Sequence, residues 1–271
     1  MKPKMVTIIV PAYNKAPFIA QTLQSIRNQT YKDWELIVVD DLSTDDTVNV
    51  VKKNLDPKKM KIIQRKKNQG ICHVLNDALK HINSKYFIQV DGDDWISPET
   101  LEVLVKRMEE EPSTTALAYG NCVHWYYKNK KDHFHKIVKP KDFKNRYEFV
   151  TTPGMVFPRF YRTECVKKVG GWEMDDLTNG KLLEDRRMLL RLLDEHTFTY
   201  VNSNLYNFRY HGKNLSHSKN AGLYNELVKH FTDQALKRWG SSYRADYSVP
   251  SHWLRINLVP IKKGGKSQWQ R

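Results

Sequence analysis

No apolar stretch in this chain of 271 residues approaches the roughly 20 needed to span a bilayer. The three cysteines, Cys72, Cys122 and Cys165, are odd in number and far apart, which excludes a disulfide framework and a thiolate metal site. No leader is evident before the strand-like run at Val6, so the expectation is a reducing, cytoplasmic setting, with contact at the inner membrane face left open. Zinc-finger spacing, an aromatic RNA-recognition strand and a helix-turn-helix are all missing, so nucleic acid is not expected as a partner. Repeats and low-complexity linkers are also missing. Acidic residues are the minority: 45 Lys and Arg against 30 Asp and Glu give a formal charge of +15. Such a balance favours anionic partners such as nucleotide phosphates, acidic polymers or a membrane surface.

What the chain does have is Val90-Asp91-Gly92-Asp93-Asp94, straight after the apolar run Tyr86 to Val90. Three carboxylates within four residues repel one another unless a cation sits among them. Hard oxygen ligands at a strand end suit Mg²⁺ or Mn²⁺, usually shared with substrate phosphates. The alternative is an acidic turn that caps a helix starting near Pro98, since Asp-Gly is common turn chemistry.

The first half alternates strand-like and helix-like segments. Strands are expected at Val6–Val10, Glu35–Val39, Met60–Ile63 and Tyr86–Val90, and helices at Ala16–Thr30, Thr47–Lys53 and Gly70–Ile82. Nearly continuous apolar strands argue for an α/β fold with a mostly parallel central sheet flanked by helices. Ligands bind such sheets beyond the carboxyl ends of the strands. Four polar clusters fall there: Pro11 to Asn14, Asp40-Asp41, Asn68 to Gly70 and Asp91 to Asp94. Four coincidences in one crevice outweigh the acidic-turn reading.

The second half reads as a helix at Pro98–Glu111, a hairpin over Ala116–Val138 with a basic tip at Lys128–Asp132, and helices at Glu164–Val169, Leu183–Leu193 and Leu223–Trp239. The tail from Gly240 carries six Lys or Arg against one Asp. It suits a strap packed on the domain or a membrane-surface segment.

Taken together, VTIIVPAYN (Val6–Asn14), Gln29-Thr30-Tyr31, WELIVVDDLSTDDT (Trp34–Thr47), Asn68-Gln69-Gly70 and VDGDD (Val90–Asp94) resemble the family 2 glycosyltransferases. Gly170-Gly171-Trp172, Leu183-Glu184-Asp185 and YNFRYHGKNLS (Tyr206–Ser216) are similar to the family's later segments. In length the chain is similar to the small spore-coat polysaccharide type members. The resemblance implies the glycosyltransferase-A fold, with a catalytic domain over residues 1–217. Residues 1–97 would be the nucleotide-sugar-binding half, 98–217 a smaller acceptor-side half, and 218–271 a C-terminal helix plus basic tail. It also implies inverting transfer of one sugar from a nucleotide diphosphate donor, a UDP-sugar first and a dTDP-sugar second. The acceptor would be a carbohydrate, a lipid-linked sugar or a protein, in cell-surface polysaccharide or glycoconjugate synthesis.

The same resemblance carries residue roles. Asp93 matches the metal acid for Mn²⁺ or Mg²⁺, and Asp91, with Gly92 between, matches the acid near the ribose. Asp94 would support either or cap the next helix. His211 matches a position that helps the metal or diphosphate, unless it is an ordinary loop histidine. Asp185 matches the catalytic base and Glu184 its orienting or acceptor-binding neighbour; plain capping of a helix is the alternative for Asp185. Asp41 matches the acid that reads the N3–H of uracil, while Asp40 serves the turn. Pro11, Ala12 and Tyr13 match the base-binding loop, and Asn68 and Gly70 the loop that approaches the nucleotide. Arg65 either reaches the diphosphate or belongs to a solvated basic run with Lys66 and Lys67. By residue type alone, the basic and aromatic Arg159, Tyr161, Arg162 and Trp125 would suit an anionic surface polymer, a lipid-linked sugar or a protein as acceptor. Gln234 to Trp239 is similar to the Gln-x-x-Arg-Trp motif of processive synthases but one residue too long, so it reads as a helix end. The competing readings are a catalytically inactive nucleotide-binding protein of the same fold and a polyanion- or membrane-surface-binding protein.

Overall fold

The computed structural model describes residues 4–152, 154–212 and 221–261. The first half forms the expected β-α succession: β1 (Val6–Ala12), α1 (Ile19–Arg27), β2 (Trp34–Asp40), α2 (Thr47–Lys53), β3 (Met60–Gln64), α3 (Ile71–Leu79) and β4 (Tyr86–Gln89). These strands pair in parallel in the order β3-β2-β1-β4. Successive residues of a strand point to opposite faces, and both faces are covered. Ile9, Ile37 and Phe87 enter one core, and Ile8, Leu36 and Ile88 the other. That double burial is why these strands read as unbroken apolar runs rather than alternating ones.

Beyond β4 the same sheet turns mixed. After β5 (Trp95–Ile96) and α4 (Thr100–Glu110) come β6 (Thr115–Lys128), β7 (Lys131–Val138), α5 (Arg146–Val150), β8 (Phe157–Arg162), α6 (Thr163–Lys168), α7 (Glu184–Leu192) and β9 (Thr197–Tyr210). The sheet continues from β4 as β8-β6-β9-β5, with β7 beside β6. The expected hairpin is present, and Asn129 and Lys130 at its tip take positive φ, as a tight turn requires. Five residues join β4 to β5, yet three strands lie between them in the sheet. The sheet therefore curls, bringing the end of β9 back over the Asp91–Asp94 turn.

Strands β8 and β9 escape the pattern reading. β8 is Phe-Pro-Arg-Phe-Tyr-Arg, with a proline and two cations where a strand core is expected to be apolar. It lies between β4 and β6, and Pro158 to Arg162 are buried in succession, so both its faces are covered. This corrects the expectation for Tyr161 and Arg162, which do not line the crevice, whereas Arg159 does. Tyr161 is in the core. The Arg162 guanidinium reaches the carbonyls of Thr115, Met108 and Pro112 at 3.0–3.4 Å. Trp125 is half-buried and donates from Nε1 to Asn207 at 3.0 Å.

The C-terminal segment is more ordered than a strap. Helix α8 (Ala221–Arg238) is followed by an antiparallel hairpin of β10 (Tyr243–Ser248) and β11 (Arg255–Pro260). Tyr247 donates to Asp233 at 2.5 Å, fastening the hairpin to the helix. Arg238 and Trp239 both bond Asp194 at 2.7 Å, which agrees with the helix-end reading of Gln234 to Trp239. The rest of the basic tail, residues 262–271, and the end of the Tyr206–Ser216 motif lie outside the described residues.

Arg162→Ala would strand three carbonyls in a buried position. The expected loss is about 2 kcal/mol or more, measured as a lower urea midpoint at unchanged slope. A change of under about 0.5 kcal/mol, the size of an ordinary surface substitution, would contradict the buried role.

Candidate active site

The loops after β1, β2 and β3 are stitched together by their own polar groups. Asp41 N–H donates to the Ala12 carbonyl at 2.9 Å. Asn14 adopts positive φ, and its side-chain oxygen accepts from Thr44 N–H at 2.8 Å. Asp40 serves the turn as expected, accepting from Ser43 N–H at 3.0 Å and from its hydroxyl. Pro11 and Ala12 are buried, while the Tyr13 ring stands exposed.

Asp41 turns toward the third loop. It accepts from Gly70 N–H at 2.8 Å, from Gln69 N–H at 3.2 Å and from Arg65 at 2.5 Å. Arg65 also pairs with Asp77 at 2.8 Å and is mostly buried. Both expectations for Arg65 are thereby corrected: it is neither in a solvated run nor directed at a phosphate, because two carboxylates hold it beneath the loop. Gly70 sits at φ +98°, and a Cβ there would lie 2.7 Å from Lys181 Cγ. Only glycine fits this conformation without strain.

The acidic turn is bound on all sides. Asp91 accepts from Gln89 at 3.0 Å and faces Arg159 at 3.4 Å. One oxygen of Asp93 takes His211 Nε2 at 2.8 Å and also the Lys15 ammonium. Burial opposes the charge on Asp93, but His211 and Lys15 outweigh it and bring the carboxyl down to about 2. Asp94 behaves oppositely: burial, then the charges of Asp93 and Asp91, push it well above the carboxylate range. It accepts from the Tyr206 hydroxyl at 2.9 Å and from Arg209 N–H at 2.8 Å. The guanidinium of Arg209 lies 4.6 Å from the Trp95 ring and pairs with Asp132 at 2.7 Å. Asp94 thus ties the turn to β9 and does not cap a helix. Helix α4 has no side-chain cap at Glu99, so the acidic-turn alternative has no helix to serve.

The donor set suits a hard divalent ion only in part. Asp93 and His211 meet at one point, with Asp91 nearby, but no group of three His, Cys, Asp or Glu side chains is placed to hold a metal among the described residues. A carboxylate and an imidazole fit a cation that completes its shell with phosphate oxygens and water, not an all-protein cage. Lys15 shares the oxygen such an ion would take.

Across the crevice, Leu183 takes a left-handed conformation (φ 57°) and starts α7 without a side-chain cap. Asp185 divides its two oxygens. One accepts from Arg186 N–H at 2.7 Å, the other from Arg159 at 2.9 Å. It therefore serves the helix start and also faces the site. Burial, then the charge of Asp185, push the Glu184 carboxyl up to about 8. Arg159, only 2% exposed, bridges Asp91 and Asp185.

Pro11, Ala12, Tyr13, Asp41, Asn68, Gly70, Asp91, Gly92, Asp93, Glu184, Asp185 and His211 all line one crevice of about 2510 Å³. Lys15, Arg159 and Lys181 also line it; sequence reasoning missed Lys15 and Lys181 as site residues. Arg159 was named for the acceptor side, but nothing in its aromatic run showed that it is buried between two carboxylates. Nothing in the sequence pairs Lys15 with Asp93, 78 residues away.

Glu184 allows a pH test. Its folded pKa lies above the ordinary 4.5, so the fold keeps its proton where the unfolded chain releases it. The wild type therefore loses stability between about pH 4.5 and 8. Glu184→Gln, neutral throughout, should gain stability relative to wild type from pH 5 to pH 8, read from urea midpoints. Equal pH slopes would mean that Glu184 is ionised in the fold.

Comparison with known proteins places this architecture. The family model for glycosyl transferase family 2 matches residues 7–170. The chain is 28% identical over 243 residues to a hyaluronan synthase of Pasteurella multocida, covering 88% of this chain but 24% of that protein. In fold it is similar to Staphylococcus aureus TarS 1-349 in complex with UDP, with a TM-score of 0.63, 21% identity and coverage of 85% of this chain and 65% of that one. It is equally similar to the mannosyltransferase PcManGT of Pyrobaculum calidifontis in complex with GDP-Man and Mn²⁺, with a TM-score of 0.62, 19% identity and coverage of 88% and 65%. The β3-β2-β1-β4 frame, the loops at its carboxyl edge and the acidic turn all fall within the matched segment, and the chain belongs to glycosyl transferase family 2.

Proposed function

We propose that this chain transfers one sugar from a nucleotide diphosphate donor to an acceptor hydroxyl, with inversion at the anomeric carbon. The observation that carries the reading is the single crevice in which Arg159 bridges Asp91, on the donor side, and Asp185, opposite. Asp185 takes the acceptor proton as the acceptor oxygen bonds to the anomeric carbon. The bond from that carbon to the diphosphate breaks, and its electron pair leaves on the diphosphate. When bound at Asp93 and His211, Mn²⁺ or Mg²⁺ supplies positive charge for the departing group. Lys15, whose ammonium lies at Asp93 in the crevice, would add positive charge for the phosphates. Glu184, with its raised pKa, remains largely protonated at pH 7 and donates a hydrogen bond on the acceptor side.

The donor base lies against Pro11, Ala12 and Tyr13, with Asn68 and Gly70 close to the nucleotide and Asp91 and Gly92 beneath the ribose. Asp41 favours uracil, whose N3–H it accepts alongside the donors it already holds. A UDP-sugar is thus the first choice. TarS bound to UDP and PcManGT bound to GDP-Man and Mn²⁺ support a nucleotide-sugar donor and a divalent ion. The hyaluronan and chondroitin synthases among the relatives support a role in polysaccharide synthesis. Transfer of single sugars agrees with Arg238 and Trp239 being turned to Asp194 instead of the crevice.

A panel of UDP-GlcNAc, UDP-glucose, UDP-glucuronate and GDP-mannose with Mn²⁺ tests the reading by nucleotide release. Asp185→Asn should lower turnover by about a hundredfold or more while leaving the thermal stabilisation by UDP unchanged. Unchanged turnover would remove Asp185 from the role of base. No release with any donor, together with steeply salt-dependent polyanion binding, would favour an inactive, polyanion-binding protein.

A further inference from the structure

The crevice does not end at Asp185. Its far wall comes from residues C-terminal to the segment matched by the family model, namely α8 and the turn of the β10–β11 hairpin. That turn is fastened to α8. Asn225 on α8 donates to the His252 carbonyl at 2.9 Å and accepts from Leu254 N–H at 2.9 Å. The pinned turn presents Trp253, still 40% exposed. The ring of Tyr224 packs edge-on at 5.9 Å, and Arg255 follows on β11. Trp253, Tyr224 and Arg255 line the same space as Glu184 and Asp185. Burial, then the charges of those two carboxyls, raise the Tyr224 phenol, which puts this wall within electrostatic reach of the proposed base.

A half-exposed indole inside a crevice, backed by a second ring, offers a flat apolar face. Such faces mark ligand-binding grooves, and the C–H face of a sugar ring matches them in shape and polarity. Charge points to the class of sugar. Between Lys128 and Arg146 there are eight Lys and Arg against two Asp. Asp132, one of the two, is engaged by buried Arg209. Lys130 from this stretch lines the crevice, and so does Arg255, an exposed cation.

We propose that α8 and the β10–β11 turn form the acceptor subsite, which takes an acidic oligosaccharide with a ring on Trp253 and Tyr224 and its acid groups toward Arg255 and Lys130. The assignment rests on Asp185 being the base of the transfer. It gives the C-terminal appendage a function as an acceptor platform, in place of a strap or a membrane contact.

The test uses the full chain, hexagalacturonate as the acidic probe and chitohexaose as the neutral one, titrated by calorimetry at low salt. Expected is tighter binding of hexagalacturonate, weakened about tenfold by Trp253→Ala, the loss of one ring contact. Arg255→Ala should weaken the acidic probe about three- to fivefold and leave the neutral one unchanged. Both variants should keep the wild-type thermal shift with UDP, which shows the fold and donor side intact. Binding that neither variant alters would overturn the subsite, as would no binding of either probe while UDP still stabilises the chain. Loss of binding to phosphatidylglycerol vesicles in Trp253→Ala, with no oligosaccharide binding in wild type, would also overturn it in favour of a membrane contact. Failure of UDP to stabilise wild type would instead sink the donor reading, and the probe titrations would still decide the subsite.

Discussion

Five carboxyl groups, those of Asp91, Asp93, Asp94, Glu184 and Asp185, converge on one crevice, and their mutual repulsion constrains much of the surrounding structure. Repulsion of this kind is relieved by pairing, by protonation or by hydrogen bonding, and all three are used. Arg159 pairs with Asp91 and Asp185, and Lys15 and His211 pair with Asp93. Asp94 and Glu184 are pushed toward their neutral forms. Tyr206 and the backbone of Arg209 bond Asp94. The buried Arg159 of β8 makes sense in this light. A charge removed from water needs a partner close by, and Asp91 and Asp185 supply it; Arg162 finds backbone carbonyls and Arg209 finds Asp132 instead.

The same constraint explains what could be read from the sequence. The parallel half was legible because both faces of β1, β2 and β4 are apolar, and because polar clusters interrupt the chain where those strands end. Asp93, Asp185 and His211 could be named because they sit in short local motifs. Arg159, Arg162 and Arg209 could not be placed: each owes its burial to acceptors at least 26 residues away. A cation in an aromatic run looks like surface until those partners are in view. Lys15 was hidden for the same reason. The β10–β11 hairpin was missed because its strands alternate weakly and are only half-buried, so the basic residues dominated the reading.

The two walls of the crevice have different origins in the chain. The wall read as the donor side comes mostly from loops of the family-matched segment, whose geometry follows from a parallel sheet. Part of the far wall is appended, through a helix and a hairpin fastened by Asn225 and Tyr247. On the proposed reading, the acidic turn lies in the shared segment, Glu184, Asp185 and His211 follow it in the chain, and the appendage sets which acceptor is presented to Asp185.

The proposed reading has a divalent ion bind together with the diphosphate, since Asp93 and His211 would supply only two ligands and Lys15 shares the Asp93 oxygen. Calorimetric titration of Mn²⁺ into the protein, with and without saturating UDP, tests it directly. The expected result is weak binding alone and an affinity about tenfold or more higher with UDP, a coupling of ordinary size between two ligands. Equal Mn²⁺ affinity with and without UDP would contradict it, and so would no Mn²⁺ binding when UDP is bound.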